Sequence, residues 1–195
     1  MSVSGRERVE AAMAAHPRER FLPRAVRRRA RYDGPLDIGH GQTNSQPRTV
    51  VAMIELLDVH PGHRVLDVGS GSGWTTALLA ELVGPAGSVL GVERVADLVL
   101  SGSAAVAGEG MPWARIRAAA RGVLGAPDEA PFDRILVSAM AAVLPEELVA
   151  QLAADGILVA PVGGRMLRVQ RDDTAEGGRR ISTHGAYRFV PLVTD

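Results

Sequence analysis

The order of hydrophobic and polar positions divides this chain into helices and strands that take turns. Residues 6–15 place Val9, Ala12 and Met13 on one helical face. Residues 48–57 do the same with Val50, Val51, Ile54, Leu56 and Leu57, until the turn His60-Pro61-Gly62 stops the pattern. Residues 75–83, 95–107 and 145–153 read as further helices, the last opened by a proline in its first turn. Short runs rich in aliphatic and β-branched residues read as strands at 64–68, 88–92, 113–118, 132–138, 156–162, 166–171 and 187–192.

Strands that alternate with helices predict an α/β fold, a doubly wound and mostly parallel Rossmann-like sheet of seven strands covered on both faces. The last two strands lack a helix between them, and residues 172–178 read as a polar hairpin-like loop, which predicts an antiparallel hairpin at one edge. Ahead of the core, Pro17 and Pro23 bracket an irregular stretch whose Phe21 and Leu22 are expected to pack inward, and residues 24–31 suggest a helical turn or two. Residues 33–47, DGPLDIGHGQTNSQP, have the composition of a loop. Loops this long inside a compact domain tend to carry function. The expected organisation is a single domain, with a small N-terminal helical cap and loop over residues 1–46 and the Rossmann-like core over 47–195.

Composition narrows the function classes. With 46% hydrophobic and 23% charged residues the chain is globular, and its 22 basic and 22 acidic side chains cancel. Bulk charge therefore favours neither a nucleic-acid nor a membrane partner. Arginines 24, 27, 28, 29 and 31 are a local exception, either a solvated helix face or a docking surface for an acidic peptide. The absence of cysteine excludes disulfides, thiolate catalysis and cysteine metal sites, and no cluster has metal-ligand spacing. No apolar stretch reaches 18 residues and the N-terminus lacks a signal-peptide apolar region. The expectation is a soluble, cytoplasmic, monomeric protein.

The candidate chemistry centres on Val65 to Trp74, VLDVGSGSGW, which is a strand, a tight glycine turn and a helix start. Glycines let the backbone approach a ligand closely, and a helix start offers unpaired N–H groups. Gly69, Gly71, Ser72 and Gly73 are the candidate ligand contacts, a structural turn without a ligand being the alternative. The spacing differs from GxGxxG, so a dinucleotide is not the first expectation. Ligands of open α/β sheets bind beyond the carboxyl ends of the strands, near the point where strand order reverses. Three further features converge there. Glu93, 22 residues after Gly71, ends the next strand, where an acid accepts hydrogen bonds from ribose hydroxyls unless it is a plain surface glutamate. The loop around Gly122 follows the third strand, where an adenine edge would lie, and Ser138-Ala139-Met140 end the fourth. Asp67 either pairs with a ligand ammonium or accepts N–H bonds from its own turn.

This series of strand, acid, GSGSG, helix, strand and acid resembles the class I methyltransferases that use S-adenosyl-L-methionine. More narrowly, GHGQTNSQP at residues 39–47 resembles the signature loop of the protein-L-isoaspartate (D-aspartate) O-methyltransferases. AAMAAHPRERFLP, APFDRILVSA, GILVAPVG and YRFVPL are similar to that family's N-terminal helix and turn, fourth strand, fifth strand and last strand, in the same order. The resemblance implies methyl transfer from S-adenosyl-L-methionine to the carboxylate of an isoaspartyl residue in a protein or peptide substrate. An ionised carboxylate is already a nucleophile at neutral pH, so such a reaction needs alignment and exclusion of water rather than a general base. His16, His40, His60, His63 and His184 are accordingly read as turn or surface residues, with His40 of interest because it lies inside the loop.

By the same resemblance Ser45 falls at the active-site serine, between cofactor and acceptor. Gln42, Thr43, Ser72, Glu93 and Gly122 fall on cofactor positions, and residues 188–192 on the strand that lines the peptide cleft. Two residues depart from the family pattern. Arg121 stands where an aspartate usually receives the adenine amino group, and an arginine accepts no hydrogen bond. Asn44 replaces an aliphatic residue beside Ser45. They leave open a peptide-tailoring methyltransferase acting on a normal aspartate of one dedicated peptide, or a homologue that only binds. A nicotinamide enzyme is the remote alternative.

Overall fold

The computed structural model describes residues 4–172 and 174–193. Helix α1 (Gly5–Ala15) starts at Ser4, whose hydroxyl accepts from the Glu7 N–H while the Glu7 carboxylate accepts from the Ser4 N–H. Two short 3-10 turns follow, Arg18–Phe21 and Arg27–Arg29. A small antiparallel hairpin, β1 (Leu36–Gly39) and β2 (Gln42–Asn44), leads to α2 (Pro47–Leu57), which carries a proline in its first turn. The core then runs β3 (Arg64–Val68), α3 (Trp74–Val83), β4 (Ser88–Glu93), α4 (Ala96–Gly108), β5 (Ala114–Ala118) and β6 (Phe132–Val137). It continues with α5 (Glu146–Val149), β7 (Leu152–Val162), β8 (Arg165–Arg171) and β9 (Arg179–Ala186).

These last strands build a seven-stranded sheet in the order β5-β4-β3-β6-β7-β8-β9. β5, β4, β3, β6 and β7 are mutually parallel, and β8 runs antiparallel to both neighbours. The strand order reverses between β3 and β6, which puts the crevice at their carboxyl ends. Alternate residues of the apolar strands serve opposite faces. Val65, Leu136 and Val159 join a core with α1, α2, α3 and α4, while Leu66, Val68, Ile135, Val137 and Leu158 join one with α5 and Ala126. Period-two alternation is hidden in a strand buried on both sides, which is why these runs read as continuously hydrophobic.

Three expectations change. The segment at 33–47 is not a plain loop: Leu36 and Ile38 alternate inward from Asp37, and Gly39, His40 and Gly41 take positive φ of 90°, 56° and 69° to turn the chain. The helix expected over 145–153 stops at Val149 because β7 starts at Leu152, opposite Phe132 of β6. The final strand lies not at 187–192 but at Arg179–Ala186, a polar and mostly exposed edge strand whose composition reads as loop. The apolar residues after it instead cross the end of β6, where the Met140 N–H donates to the Val190 carbonyl and the Leu192 N–H to the Met140 carbonyl, each at 2.7 Å.

His16 is not a surface histidine. Its ring sits between Glu109, 2.7 Å from Nδ1, and Glu81, 3.0 Å from Nε2, and its carbonyl accepts from the Trp74 indole. It ties the N-terminal cap to α3 and to the end of α4. Among the described residues no helix is long and apolar enough to cross a membrane, and no group of three potential metal ligands gathers.

Candidate active site

At the carboxyl ends of β3, β4 and β6 the glycine turn floors a cavity of about 930 Å³, its open mouth included. Gly69, Ser70, Gly71, Ser72 and Trp74 form the floor, and Glu93 stands beside them at the end of β4. The hairpin closes one side with Ile38, Gln42, Thr43, Asn44 and Ser45, and Val190 to Val193 close another. Ala119, Val123 and Leu124 supply an apolar wall after β5. Gly69 and Gly71 hold φ of 78° and 53°, the left-handed conformation that keeps the floor free of side chains.

Glu93 is 6% exposed and shapes the turn as well as the cavity. One carboxylate oxygen accepts the Gly71 N–H and the other the Val95 N–H, each at 2.9 Å. Each oxygen keeps a lone pair for a ligand hydroxyl. Among the described residues it is the one carboxylate that lines the cavity.

The structure brings Gln42, Thr43, Ser45, Gly69, Gly71, Ser72 and Glu93 to this cavity and leaves three other candidates off its wall. Gly73 caps α3 with φ 88°, and a Cβ there would meet the Gly102 carbonyl at 3.0 Å, so it serves the α3–α4 contact. Gly122 turns the loop after β5, whose next residues Val123, Leu124 and Gly125 reach the cavity. Arg121 is exposed and does not line the cavity, and His40 sits at the hairpin tip beside Asp97.

Asp67 lies beneath the floor, fully buried, and accepts the hydroxyls of Thr75 and Thr76 at 2.8 and 2.7 Å. Its partners are thus side chains of α3's first turn. Burial pushes its carboxyl up to about 6, against the two threonine hydroxyls, and the charge of Glu93 adds to the rise. A carboxyl whose folded value lies above its unfolded one costs stability as pH climbs from the unfolded value through the folded one. Asp67→Asn should remove that cost, about 2–3 kcal/mol once ionisation is complete. Thermal melts should then favour the variant over the parent more at pH 7.5 than at pH 4.5. A pH-independent difference would refute the assignment.

Sequence reasoning missed Arg18. It is 5% exposed, yet it makes six hydrogen bonds at 2.6–3.4 Å, to the carbonyls of Ala30, Tyr32, Gly34, Asn44 and Ser45 and to the Asn44 side chain. Burial lowers its guanidinium to about 10, with Asp33 opposing, so it stays charged at neutral pH. A basic residue next to Pro17, in a turn expected to pack inward, was the one available signal.

A second hollow adjoins the first, lined by Pro35, Gln46, Thr49, Arg188 and Phe189. Thr43, Ser45, Ser138 and Val190 line both. Ser45 thus stands on a wall shared by the two hollows.

The family model described as Protein-L-isoaspartate(D-aspartate) O-methyltransferase (PCMT) matches residues 2–195. The chain belongs to this family. The Protein-L-isoaspartate O-methyltransferase of Methanopyrus kandleri is 44% identical over 188 residues, 95% of this chain and 83% of that one. A solved Plasmodium falciparum structure, described as a protein of this family in complex with S-adenosyl-L-homocysteine, is 27% identical with a TM-score of 0.79, covering 97% of this chain and 91% of that one. Another solved protein-L-isoaspartate O-methyltransferase, 23% identical with a TM-score of 0.83, shares the fold over 96% of this chain, which spans 61% of that structure.

Proposed function

We infer that this chain transfers a methyl group from S-adenosyl-L-methionine to the carboxylate of L-isoaspartyl (D-aspartyl) residues in damaged proteins or peptides. The observation that carries the reading is the position of Ser45 on the wall common to the two hollows. The cofactor supplies a methyl on a positively charged sulfur that departs as a neutral thioether. The chain's residues bind and orient. These residues line the cavity, where Glu93 would accept the ribose hydroxyls, the bare Gly69–Gly71 main chain would admit the sulfonium side, and Val123 with Leu124 would cover the adenine. Gln42, Thr43 and Ser72 complete the cofactor side. Ser45 donates its hydroxyl to one acceptor oxygen and leaves the other to attack.

The carboxylate needs no base, because it is ionised well below neutral pH. Alignment of the two reactants and loss of water around the nucleophile supply the acceleration. Residues 188–190 edge the acceptor groove, where main-chain groups suit an extended peptide.

Labelled S-adenosyl-L-methionine with an isoaspartyl peptide should yield a base-labile methyl ester, and the normal aspartyl isomer much less. Ser45→Ala should lower kcat about tenfold or more while leaving cofactor affinity within a factor of two. Absence of transfer to the isoaspartyl peptide would overturn the reading. Asn44 is engaged with Arg18 and Ser72 and is not among the residues lining the acceptor groove, which weakens the case for a dedicated aspartyl peptide.

A further inference from the structure

Behind the cavity wall a chain of polar groups runs from the N-terminal turn to the glycine floor. Arg18 Nε donates to Asn44 Oδ1 at 2.6 Å, and Asn44 Nδ2 donates to Ser72 Oγ at 3.0 Å. All three side chains are buried. Arginine can only donate, so the atom facing it must be the amide oxygen, and the amide N–H must point at Ser72. The serine oxygen is thereby used as an acceptor. Among the described residues no protein group accepts the Ser72 hydroxyl proton, and Ser72 lines the cavity.

We propose that Asn44, held by Arg18, is a positioning residue that makes Ser72 a committed hydrogen-bond donor to the carboxylate of the cofactor's amino-acid tail. This rests on the cofactor reading above and adds how the tail is recognised. An aliphatic residue at 44 would leave the serine proton free to turn toward protein or ligand. The amide fixes its direction. The charge on Arg18 has no carboxylate ion pair within 4 Å among the described residues, so its field falls on the amide and strengthens each donor after it. Ser72 also precedes the N-terminus of α3, a ten-residue helix whose dipole favours an anion at that end. The cavity is then polarised in two parts. Glu93 accepts from hydroxyls, and Ser72, backed by a cation, donates to an acid. A ligand with a ribose and a carboxylate matches that division.

The test separates the tail from the nucleoside. S-adenosylhomocysteine carries the carboxylate, and 5′-methylthioadenosine keeps the nucleoside but lacks the amino-acid tail. Calorimetric titration of both is made with the parent, Asn44→Leu, Ser72→Ala, the double variant and Asn44→Asp. Each single variant should weaken S-adenosylhomocysteine about five- to tenfold and leave methylthioadenosine within twofold. The double variant should be no weaker than the poorer single one, as expected for links of one chain. Asn44→Asp can pair with Arg18 and keep the hairpin folded, but it draws the serine proton away from the cavity, so it should show the same selective loss. Equal losses for both ligands, no loss, or additive losses would each overturn the proposal. A parent protein that binds neither ligand would instead overturn the cofactor reading, and this inference with it.

Discussion

Glu93→Ala should weaken S-adenosylhomocysteine binding about a hundredfold, the largest single effect expected on the cofactor. Two contributions combine. A hydrogen bond from a neutral group to a charged one contributes about 1.5–3 kcal/mol, and a ribose offers two hydroxyls to this one carboxylate. The same carboxylate accepts the Gly71 and Val95 N–H groups, so its removal also frees the glycine floor. Glu93→Gln is the sharper control. Its amide nitrogen would face one of two N–H donors, so it too should lose about tenfold or more despite its matched size. Because the loss lies in binding, kcat at saturating cofactor should fall far less than kcat/KM. Titration that finds Glu93→Ala within twofold of the parent would place the ribose elsewhere.

That prediction was available from the sequence because its cause is local. A strand, a glycine turn and an acid at the end of the next strand are each written in a few consecutive residues, and parallel pairing of β3 with β4 brings Glu93 beside Gly71. The core strands were legible for the same reason, and 64–68 has the same limits in the structure. What failed has a nonlocal cause. β9 is polar because it is an exposed edge, and Val190 to Val193 are apolar because they wall the cavity rather than join the sheet. The hairpin Leu36–Asn44 was hidden by its glycines, since its strands are only four and three residues long. Asp67 could be recognised as a residue of interest, but whether it faces the ligand or the helix below depended on Thr75 and Thr76 turning toward it.

Arg18→Met should cost the largest share of stability of any single change considered, about 3–5 kcal/mol, because several buried acceptors lose their donor at once. The argument lies in what is left behind. Carbonyls of Ala30, Tyr32, Gly34, Asn44 and Ser45 all point at one guanidinium, and methionine fills its volume without donating to any of them. An orphaned buried acceptor costs about 1–3 kcal/mol, and water reaching the less buried of these carbonyls keeps the total below the sum. For a chain of this length the midpoint of thermal unfolding should fall by about 10 °C. Arg18→Lys retains the charge but offers one donor centre in place of a fork, so it should fall between the two. The stack of Arg18 on the Trp74 ring, 5.5 Å from its centroid, is a further loss that lysine restores only in part. Since the same guanidinium gathers residues 30–45, hydrogen exchange should rise across the hairpin that carries Gln42, Thr43 and Ser45, with the sheet core little changed. Unfolding within 2 °C of the parent, or exchange spread evenly over the chain, would mean that the hairpin holds its shape without the arginine.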